Sequence, residues 1–420
     1  MKRVFFKTFG CRTNIFDTEV MIKNLGNSEF MHVENPEIAD FIVVNSCTVT
    51  NSADSNVRQF VNRAKRDFPN AKIIFTGCGI AGEGLKLFDS GIVKMAFGHS
   101  EKENIKTILL NNERKYIIND LNHLDKTIVD NFSSRSRAFI KIQEGCNFKC
   151  SYCIIPSVRG NARSYKKEHI LEQVRKLAGN GFGEIVLTGT NIGSYGDSRN
   201  SLAMLIREIS QIRGVRRIRL GSVEPSQITA DFIEMLDEKF LGKYLHVAIQ
   251  YSNDQMLKIM NRRNRVDSDL KLFDKLYSHG FAIGTDFIVG HVGETDEIFN
   301  DALKKLNDYP LTHIHLFKYS RRDGTASANM NLKEIHPDLV RERFDLIDDL
   351  INKKSEKFRD EVMNNKTVLN VLFEKEIEKI DEFAIYEGYD QYFFPVKIKS
   401  KESLEGYWAE INDYNWRENN

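Results

Sequence analysis

The sequence predicts an α/β protein with three consecutive parts: an N-terminal domain with a parallel sheet, a central partial barrel of six strand–helix units, and a small C-terminal β-barrel. Apolar, strand-like runs alternate with helical stretches over the first eighty residues. This alternation restarts near residue 136, and short alternating runs with turn residues follow residue 366. The two patterns are typical of parallel sheets and of small antiparallel barrels, respectively. The 420 residues suffice for two or three domains, which we place at 1–125, 132–363 and 364–420.

The N-terminal part carries three cysteines that follow strand-like runs. Cys11, Cys47 and Cys78 each come within three residues of the end of such a run. A helical stretch with one apolar face, 53–68, lies between two of them. Because the carboxyl ends of parallel strands meet at one edge of a sheet, where ligands bind, we expect the three thiols to converge there. The alternative is that each thiol only packs as a small buried hydrophobe.

Six strand-like segments define the central part. Helical stretches separate them, so they predict a partial barrel that is open relative to the eight-unit form. Its active site is expected on the C-terminal face of the strands. The segments are 138–143, 184–188, 217–221, 245–250, 285–289 and 313–318.

A second group of cysteines follows the first of these strands, with the spacing Cys-x3-Cys-x2-Cys. Thiolates at short, unequal spacing, such as Cys146, Cys150 and Cys153, hold an iron–sulfur cluster or a zinc ion. A structural zinc has four protein ligands, and no fourth Cys or His lies nearby. Three ligands therefore indicate a metal site with one coordination position left open for a substrate. A zinc knuckle with a distant fourth ligand, or plain buried cysteines, are the alternatives. The N-terminal cysteines, if they converge, form a second three-thiolate cluster.

The ends of the next strands carry candidate ligand contacts. Gly189 lies in a glycine-rich segment after the second strand, Ser222 and Glu224 follow the third, and Gln250 closes the fourth. Glycines let the backbone approach a ligand closely, and a carboxylate accepts hydrogen bonds from hydroxyl or ammonium groups. Each residue alone is as easily part of a turn or a cap, so the prediction depends on their shared position at one face.

Charge and composition exclude several classes of protein. A net charge of +1 excludes a global basic field that would attract nucleic acid, so any such site must be local. No apolar run approaches the length that spans a bilayer, and the N-terminus has no signal-peptide pattern. Six cysteines in two groups of three argue for metal-bound thiolates in a reducing cytosol rather than for disulfides. We therefore expect a cytoplasmic protein that does not bind a membrane.

With both cysteine groups in place, the chain resembles the methylthiotransferase family of radical S-adenosylmethionine (SAM) enzymes over essentially its whole length. The two triplets in this order, with an aromatic residue before the last cysteine, are highly specific. The matching segments are Phe-Gly-Cys-Arg-Thr-Asn at 9–14, Asn-Ser-Cys-Thr-Val-Thr at 45–50, Thr-Gly-Cys at 76–78, Ile-Lys-Ile-Gln-Glu-Gly-Cys at 140–146, Ile-Ile-Pro-Ser-Val-Arg-Gly at 154–160, Asp-Phe-Ile-Val-Gly at 286–290 and Tyr-Ser at 319–320.

Within the family, the segment Leu-Thr-Gly-Thr-Asn-Ile-Gly-Ser-Tyr-Gly at 187–196 most resembles the branch that modifies tRNA bearing N6-threonylcarbamoyladenosine at position 37. Two segments depart from the family pattern. Gln-Tyr-Ser-Asn at 250–253 replaces a more usual Gln-Ser-Gly, and His-Val-Gly-Glu at 291–294 lacks a common proline. These departures concern the fourth and fifth strands and leave both cysteine triplets intact.

The resemblance implies two [4Fe–4S] clusters and SAM as cofactors. One SAM would methylate sulfur carried on the N-terminal cluster. A second SAM would be cleaved at the other cluster to a 5′-deoxyadenosyl radical, which removes hydrogen from C2 of the adenine before the methylated sulfur transfers there. The catalytic ligands would be Cys146, Cys150 and Cys153, and the ligands of the second cluster would be Cys11, Cys47 and Cys78. The candidate SAM contacts are Tyr152, Gly189, Ser222, Glu224 and Gln250.

The resemblance also implies partners: tRNA, an electron donor such as flavodoxin or ferredoxin, and a sulfur source. The C-terminal part resembles the RNA-binding TRAM domain, but 366–420 has seven Lys and Arg against twelve Asp and Glu. Phosphate binding favours the opposite sign. Either local groups such as Lys397, Lys399, Tyr389 and Phe393 contact RNA, or this part is structural. The arginines that follow strand ends are the other candidates for RNA contact: Arg159, Arg163, Arg262, Arg263 and Arg265.

Other functions stay open. A related branch acts on tRNA with isopentenyladenosine, and another methylthiolates an aspartate of a ribosomal protein. The Thr-Asn-Ile-Gly segment at 190–193 argues against the ribosomal substrate. A different class is a zinc-stabilised RNA-binding protein without catalysis, which iron counting separates from the enzyme.

Overall fold

The computed structural model describes residues 1–26, 28–117, 120–132, 135–197 and 201–418. The predicted fold class is confirmed: a parallel sheet is followed by parallel strand–helix units and then by an antiparallel sheet. The boundaries at 1–125, 132–363 and 364–420 stay a prediction, and the last two residues of the C-terminal range lie outside the described residues. Among the helices that the structure describes, none is long and apolar enough to cross a membrane.

The N-terminal sheet has six parallel strands in the order β2-β1-β3-β4-β5-β6. Its central strand β3 is buried along its whole length, as expected for a parallel strand that is covered on both faces. The elements are β1 Lys2–Thr8, α1 Arg12–Leu25, β2 Phe30–His32, β3 Phe41–Ser46, α2 Asn51–Asp67, β4 Lys72–Gly77, α3 Leu85–Asp89, β5 Met95–Phe97, α4 Ile105–Asn111 and β6 Lys115–Ile117. Cys11, Cys47 and Cys78 follow β1, β3 and β4, which are neighbours in this sheet, so the thiols start from one edge.

The central part contains all six predicted strands, in the order in which they occur along the chain. The strands β7, β9 and β10 pair in parallel, as do β11, β12 and β13, and isolated parallel bridges such as Val223 to Val247 connect the two groups. The elements are β7 Arg137–Glu144, α5 Ile155–Arg159, β8 Arg163–Ser164, α6 Lys167–Gly179, β9 Glu184–Gly189, α7 Leu202–Ser210, β10 Arg217–Leu220, α8 Ala230–Glu234, β11 Tyr244–His246, α9 Asp254–Ile259, α10 Val266–Ser278, β12 Ala282–Val289, α11 Asp296–Leu306, β13 His313–Lys318 and α12 Pro337–Asn364.

Helix α1 of the N-terminal part belongs to the packing of the barrel as well. It contacts β7 and β9, and its Phe16 and Val20 are buried in the apolar core of the barrel. This shared helix begins directly after Cys11. The first cysteine of the N-terminal triplet is therefore positioned by packing against the barrel.

The C-terminal sheet is antiparallel, with the order β16-β15-β14-β17. It packs at the N-terminal ends of the barrel strands, where Arg217 donates to the carbonyl of Asn370 (2.7 Å). Phe393 stacks on Tyr244 of β11, with ring centroids 5.4 Å apart. Aromatic groups considered for RNA contact thus pack against the barrel, at the end opposite to the cysteine loop. The strands are β14 Leu369–Ile380, β15 Phe383–Tyr389, β16 Pro395–Ser400 and β17 Trp408–Ile411.

Candidate active site

The N-terminal cysteine loops lie against one another. A Cβ atom at Gly10, where φ is +90°, would lie 2.8 Å from the Sγ of Cys47, so only glycine fits between these loops. The amide of Cys78 donates to the carbonyl of Ser46 (3.1 Å). Asn14 donates to the same carbonyl (2.9 Å), which fixes the start of α1 beside both loops. The predicted convergence of the three loops therefore agrees with the described geometry.

The three N-terminal thiols are free and differ in exposure. Cys11 is exposed, whereas Cys47 and Cys78 are buried. Burial raises the pKa of Cys47 to about 11, and it also raises the pKa of Cys78. Buried thiols of this kind ionise when they bind a metal, which replaces the proton. The donor set and its convergence fit a three-thiolate cluster.

The second triplet lies in the loop between β7 and α5. A Cβ atom at Gly145, where φ is +73°, would lie 2.0 Å from the carbonyl oxygen of Asn161, so the loop is closed tightly at its base. The amide of Cys146 donates to the carbonyl of Gly160 (3.0 Å), and the amide of Cys153 donates to that of Cys150 (3.1 Å). All three cysteines are half-buried free thiols, and burial raises the pKa of Cys153 to about 12.

The predicted SAM contacts fall into two sets. Tyr152 and Gln250 line a cavity of about 210 Å³ together with Cys153. The remaining three predicted residues do not line it. The cavity is also bounded by Val49, Thr50, Ile154, Asp286, Ile288, Phe317, Lys318, Tyr319 and Ser320. It therefore lies between the cysteine loop of the barrel and the loop that follows Cys47.

The other three predicted SAM contacts have different surroundings. Gly189 packs against β7, because a Cβ atom there would lie 2.6 Å from the carbonyl oxygen of Gln143. Ser222 is exposed. Glu224 receives hydrogen bonds from both terminal nitrogens of Arg262, one of them at 2.9 Å. Their roles in SAM binding stay predictions, without support from the lining of the cavity.

Sequence analysis missed two histidines, His246 and His315, that contact Asp286 in the wall of the cavity. Asp286 lies 3.0 Å from His246 Nε2 and 3.3 Å from His315 Nδ1. Burial alone would raise the pKa of Asp286, but these two imidazoles hold it well below its usual range. The three side chains come from β11, β12 and β13, and their ligand atoms are close enough to share one cation. The signal in the sequence was that these three polar residues lie in otherwise apolar strands, which indicates side chains that face a site.

A network of buried charges joins the N-terminal part to the barrel. Lys141 of β7 is within 2.6 Å of both Asp17 and Asp125, and Lys102 is 2.8 Å from Asp17. Arg159 is 3.0 Å from Asp17. Carboxylates and cations balance, which is the condition under which buried charges are tolerated. The network comprises Asp17, Lys102, Asp125, Lys141, Glu144 and Arg159.

Two of the arginines predicted to contact RNA are buried. Arg159 is 2% exposed and Arg262 is 5% exposed. Arg159 donates from Nε to Cys78 Sγ (3.2 Å), and Arg262 donates from Nη1 to Cys150 Sγ (3.5 Å). The prediction of RNA contact is corrected for these two residues, because their guanidinium groups face the cysteine loops and carboxylates inside the protein.

The other three arginines reach the surface. Arg163 is half-buried and donates to the carbonyl of His123 (3.0 Å). Arg265 is half-buried and donates to the carbonyl of Arg262 (2.9 Å). Arg263 is exposed, and its guanidinium lies 4.1 Å from the ring centre of Phe148, a residue of the second cysteine loop. RNA contact at these three positions stays a prediction.

Comparisons with known proteins agree with this geometry. Residues 140–306 match the Radical SAM superfamily, and residues 3–98 match a family described as "Uncharacterized protein family UPF0004". A Helicobacter pylori protein named "Putative methylthiotransferase" is 49% identical over 100% of this chain and 98% of its own length. The threonylcarbamoyladenosine tRNA methylthiotransferase MtaB of Bacillus subtilis is 32% identical over 97% of this chain and 92% of its own length.

The chain belongs to the radical SAM methylthiotransferase family. It is an enzyme of this type, and the family implies SAM and a [4Fe–4S] cluster. When bound, the two together supply radical chemistry. The loop that holds Cys146, Cys150 and Cys153 fits such a cluster, since it offers three free thiols and its base is closed by backbone hydrogen bonds.

Among solved structures, the fold of this methylthiotransferase is similar to that of the radical SAM methyltransferase TsrM from Kitasatospora setae, whose structure contains cobalamin and a [4Fe–4S] cluster. The TM-score is 0.61 at 14% identity, over 78% of this chain and 77% of that chain. The cobalamin-dependent SAM radical enzyme OxsB gives a TM-score of 0.52 at 10% identity, over 84% of this chain and 56% of that chain. At these identities the likeness concerns the fold alone.

Proposed function

We propose that the enzyme adds a methylthio group to C2 of N6-threonylcarbamoyladenosine at position 37 of tRNA. The relative from Bacillus subtilis, which carries this activity in its name, supports the substrate over nearly the whole chain. A relative from Jannaschia named tRNA-2-methylthio-N(6)-dimethylallyladenosine synthase is 29% identical over 98% of this chain, so an isopentenyl-type substrate is the second candidate. The proposal includes action in the cytoplasm, where tRNA is modified.

The observation that carries the proposal is the position of the cavity. Cys153 of the SAM-binding loop lines one side of it, and Val49 and Thr50, which follow Cys47, line the other. A base placed there would be next to both thiol triplets. This placement fits a reaction that needs a radical from one triplet and sulfur from the other, and it supports a second cluster at Cys11, Cys47 and Cys78.

Lys318 is the lysine among the residues that line the cavity. Within the described ranges no carboxylate forms an ion pair with its ammonium group. The ring of Phe344 lies beside this group, with its centre 5.3 Å from Nζ. The threonylcarbamoyl group ends in a carboxylate, whereas an isopentenyl group has no charge. Phe344 belongs to α12, so Lys318 would turn from this helix toward the cavity to pair with the anionic substrate.

The proposal requires three kinds of partner. The tRNA would contact the surface that exposes Arg263 and, in part, Arg163 and Arg265. An electron donor such as flavodoxin or ferredoxin would reduce the clusters, and a sulfur source would replace the sulfur that each turnover consumes.

The substrate is tested with anaerobically reconstituted protein and tRNA that carries N6-threonylcarbamoyladenosine, isopentenyladenosine or unmodified adenosine at position 37. Mass spectrometry of the digested nucleosides measures the product. We expect the 2-methylthio product only with the threonylcarbamoyl tRNA. Product on isopentenyladenosine tRNA alone would overturn the proposed substrate and leave the family assignment intact.

The second cluster is tested by iron counting. Wild-type protein is expected to bind two clusters, and the variant C146A/C150A/C153A is expected to keep about half of the iron while it loses SAM cleavage. The matched variant C47A is expected to keep SAM cleavage and to lose methylthiolation. A colourless protein that binds zinc would contradict the whole proposal, and iron that is lost completely from C146A/C150A/C153A would contradict the second cluster.

A further inference from the structure

Each cysteine triplet has one buried arginine that donates to one of its thiols. Arg159 Nε is 3.2 Å from Cys78 Sγ, and Arg262 Nη1 is 3.5 Å from Cys150 Sγ. Both arginines are at least 95% buried. The two triplets thus share a feature that their sequences do not show: a fixed cation at the edge of the sulfur site.

Arg159 reaches the opposite triplet from the one it follows in sequence. It ends α5, six residues after Cys153, yet its side chain extends to Cys78 of the N-terminal part. Its remaining donors are held by polar side chains: Nη1 donates to Glu144 (2.5 Å), and Nη2 donates to Asp17 (3.0 Å) and to the side-chain oxygen of Asn14. The guanidinium therefore has one fixed orientation and ties the two cysteine loops together.

Arg262 is fixed in a comparable way beside the second triplet. Both of its terminal nitrogens donate to Glu224, Nη2 also donates to the carbonyl of Ala248 (2.6 Å), and Nε donates to Asn264 (3.1 Å). Glu224 is a predicted SAM contact from the sequence. In the structure it holds this arginine against Cys150.

Hydrogen bonds and cations at the sulfur ligands alter the reduction potential of an iron–sulfur cluster. The reduced cluster carries one more negative charge than the oxidised cluster, so a buried cation and an N–H···S hydrogen bond stabilise the reduced form more strongly. Burial strengthens the effect, because water does not screen the charge. A fixed arginine at one cysteine of a cluster therefore makes that cluster easier to reduce.

We propose that Arg159 and Arg262 are positioning residues that raise the reduction potentials of the two clusters separately, Arg159 at the Cys78 cluster and Arg262 at the Cys150 cluster. The role of Arg159 rests on the proposed second cluster, whereas that of Arg262 rests on the cluster that the family implies. Separate control matters because two neighbouring clusters compete for one electron. That electron has to reach the cluster that cleaves SAM.

The Arg159 role is tested in full-length C146A/C150A/C153A protein, in which only the N-terminal cluster remains. Redox titration followed by electron paramagnetic resonance gives its midpoint potential. The double variant E144Q/R159Q removes one carboxylate together with the cation, so the buried network stays balanced. We expect it to make reduction about tenfold less favourable, a shift of about 59 mV to more negative potential for a one-electron couple. R159K keeps the charge without the Nε donor and is expected to give a smaller shift in the same direction.

The Arg262 role is tested in C11A/C47A/C78A protein, in which only the SAM-binding cluster remains. R262Q leaves Glu224 with access to solvent, since 18% of that side chain is exposed. A more negative midpoint potential is expected there. R175Q is the control: Arg175 is an exposed arginine of α6, and this variant is expected to keep the potential of its background.

The outcomes separate the proposals. Bound cluster with unchanged potential in E144Q/R159Q and R262Q would overturn the proposed roles. Loss of cluster from both Arg159 variants, with the fold retained by circular dichroism, would assign Arg159 to cluster assembly and overturn its role in the potential. If C146A/C150A/C153A binds no cluster, both the second cluster and the Arg159 role are contradicted. The measurement on R262Q then tests the Arg262 role by itself.

Discussion

Under the proposed function, single side chains in the cavity wall would select the modified base. Lys318 is among the residues that line the cavity, whose other walls include Ile154, Ile288 and Phe317, and its ammonium group lies beside Phe344 of α12. A charge-assisted hydrogen bond contributes about 1.5–3 kcal/mol, which corresponds to at least a tenfold change in affinity. This contribution is available to a threonylcarbamoyl carboxylate and is absent for an apolar isopentenyl group.

The substitution K318M is expected to raise KM for threonylcarbamoyl tRNA roughly tenfold, because the carboxylate would lose its cationic partner. K318R keeps the charge and serves as the matched control, with KM expected close to that of wild type. Steady-state kinetics with the two modified tRNAs provides the measurement. Equal KM values for wild type and K318M would remove Lys318 from substrate recognition.

Asp269 is a second residue with a measurable consequence. Burial raises the pKa of its carboxyl to about 7, although a hydrogen bond from Asn264 opposes the shift. The unfolded chain releases this proton near a pH of about 3.9. Between these two values the folded state holds a proton that the unfolded state has lost, so the stability contributed by this group falls as the pH rises toward 7.

The substitution D269N removes this titrating group. The change that it causes in the free energy of unfolding is therefore expected to be about 2 kcal/mol more favourable at pH 8 than at pH 5. Denaturant unfolding of wild type and variant at both pH values gives the difference. D267N, which changes an exposed aspartate of the same first turn of α10, is the control and is expected to follow the wild-type profile. An identical pH dependence for D269N and D267N would contradict the effect of burial.

The residues also show how far sequence reasoning reaches. The cysteine triplets were recognisable from their spacing and from their places after strands. The directions in which the side chains of Arg159 and Arg262 point could not be recognised, because each depends on a partner far away in sequence. Asp17 is 142 residues from Arg159, and Glu224 is 38 residues from Arg262. An arginine after a strand end has the same sequence whether it turns toward solvent or toward a buried carboxylate.

At the level of elements, local patterns identified the strands, and nonlocal packing determined their surroundings. All six predicted barrel strands are present, since runs of apolar residues between helices are local signals. The contribution of α1 to the core of the barrel was not predicted, because an apolar helix face does not specify which sheet covers it. The same reason applies to Tyr389 and Phe393, which were considered for RNA contact and which pack instead beside Arg137 and Arg219.

Aromatic contacts add to the hydrogen bonds of Arg217 and Arg219 that attach the C-terminal sheet to the barrel. Phe394 is buried, and its ring centre lies 4.5 Å from that of His313 in β13 and 6.0 Å from that of Phe358 in α12. Arg359 adds a cation over the same ring, at 5.2 Å. The side chain therefore joins the C-terminal sheet to the barrel and to the long helix α12.

The substitution F394A is expected to destabilise the protein by about 3 kcal/mol, because it leaves a cavity at this junction. Denaturant unfolding measures the loss, and limited proteolysis shows whether the C-terminal sheet becomes accessible. Y407A, which removes an aromatic side chain that is 58% exposed, is the control and is expected to change stability little. Similar unfolding curves for F394A and wild type would show that contacts other than those of Phe394 hold the C-terminal sheet on the barrel.

For the whole molecule, we expect the proposed RNA-binding surface on the barrel face that holds the cavity. The C-terminal part is acidic and packs at the opposite ends of the barrel strands. Arg263, by contrast, lies on the ring of Phe148 in the second cysteine loop, and Arg265 is half-buried two residues further on. A guanidinium on an aromatic ring beside the active site suits both phosphate contact and stacking with an unpaired base.

The double variant R263A/R265A is expected to bind tRNA more weakly and with a flatter salt dependence, because fewer counterions are released from the phosphates. The slope of log K against log salt is expected to fall by up to about 1.4–1.8, which is about 0.7–0.9 for each phosphate that an arginine no longer neutralises. R175A, which removes an exposed arginine of α6, is the control. Binding at several salt concentrations gives the three slopes. Parallel slopes with unchanged affinity for R263A/R265A would move RNA recognition away from the cavity face, and the C-terminal sheet would then have to bind tRNA despite its negative charge.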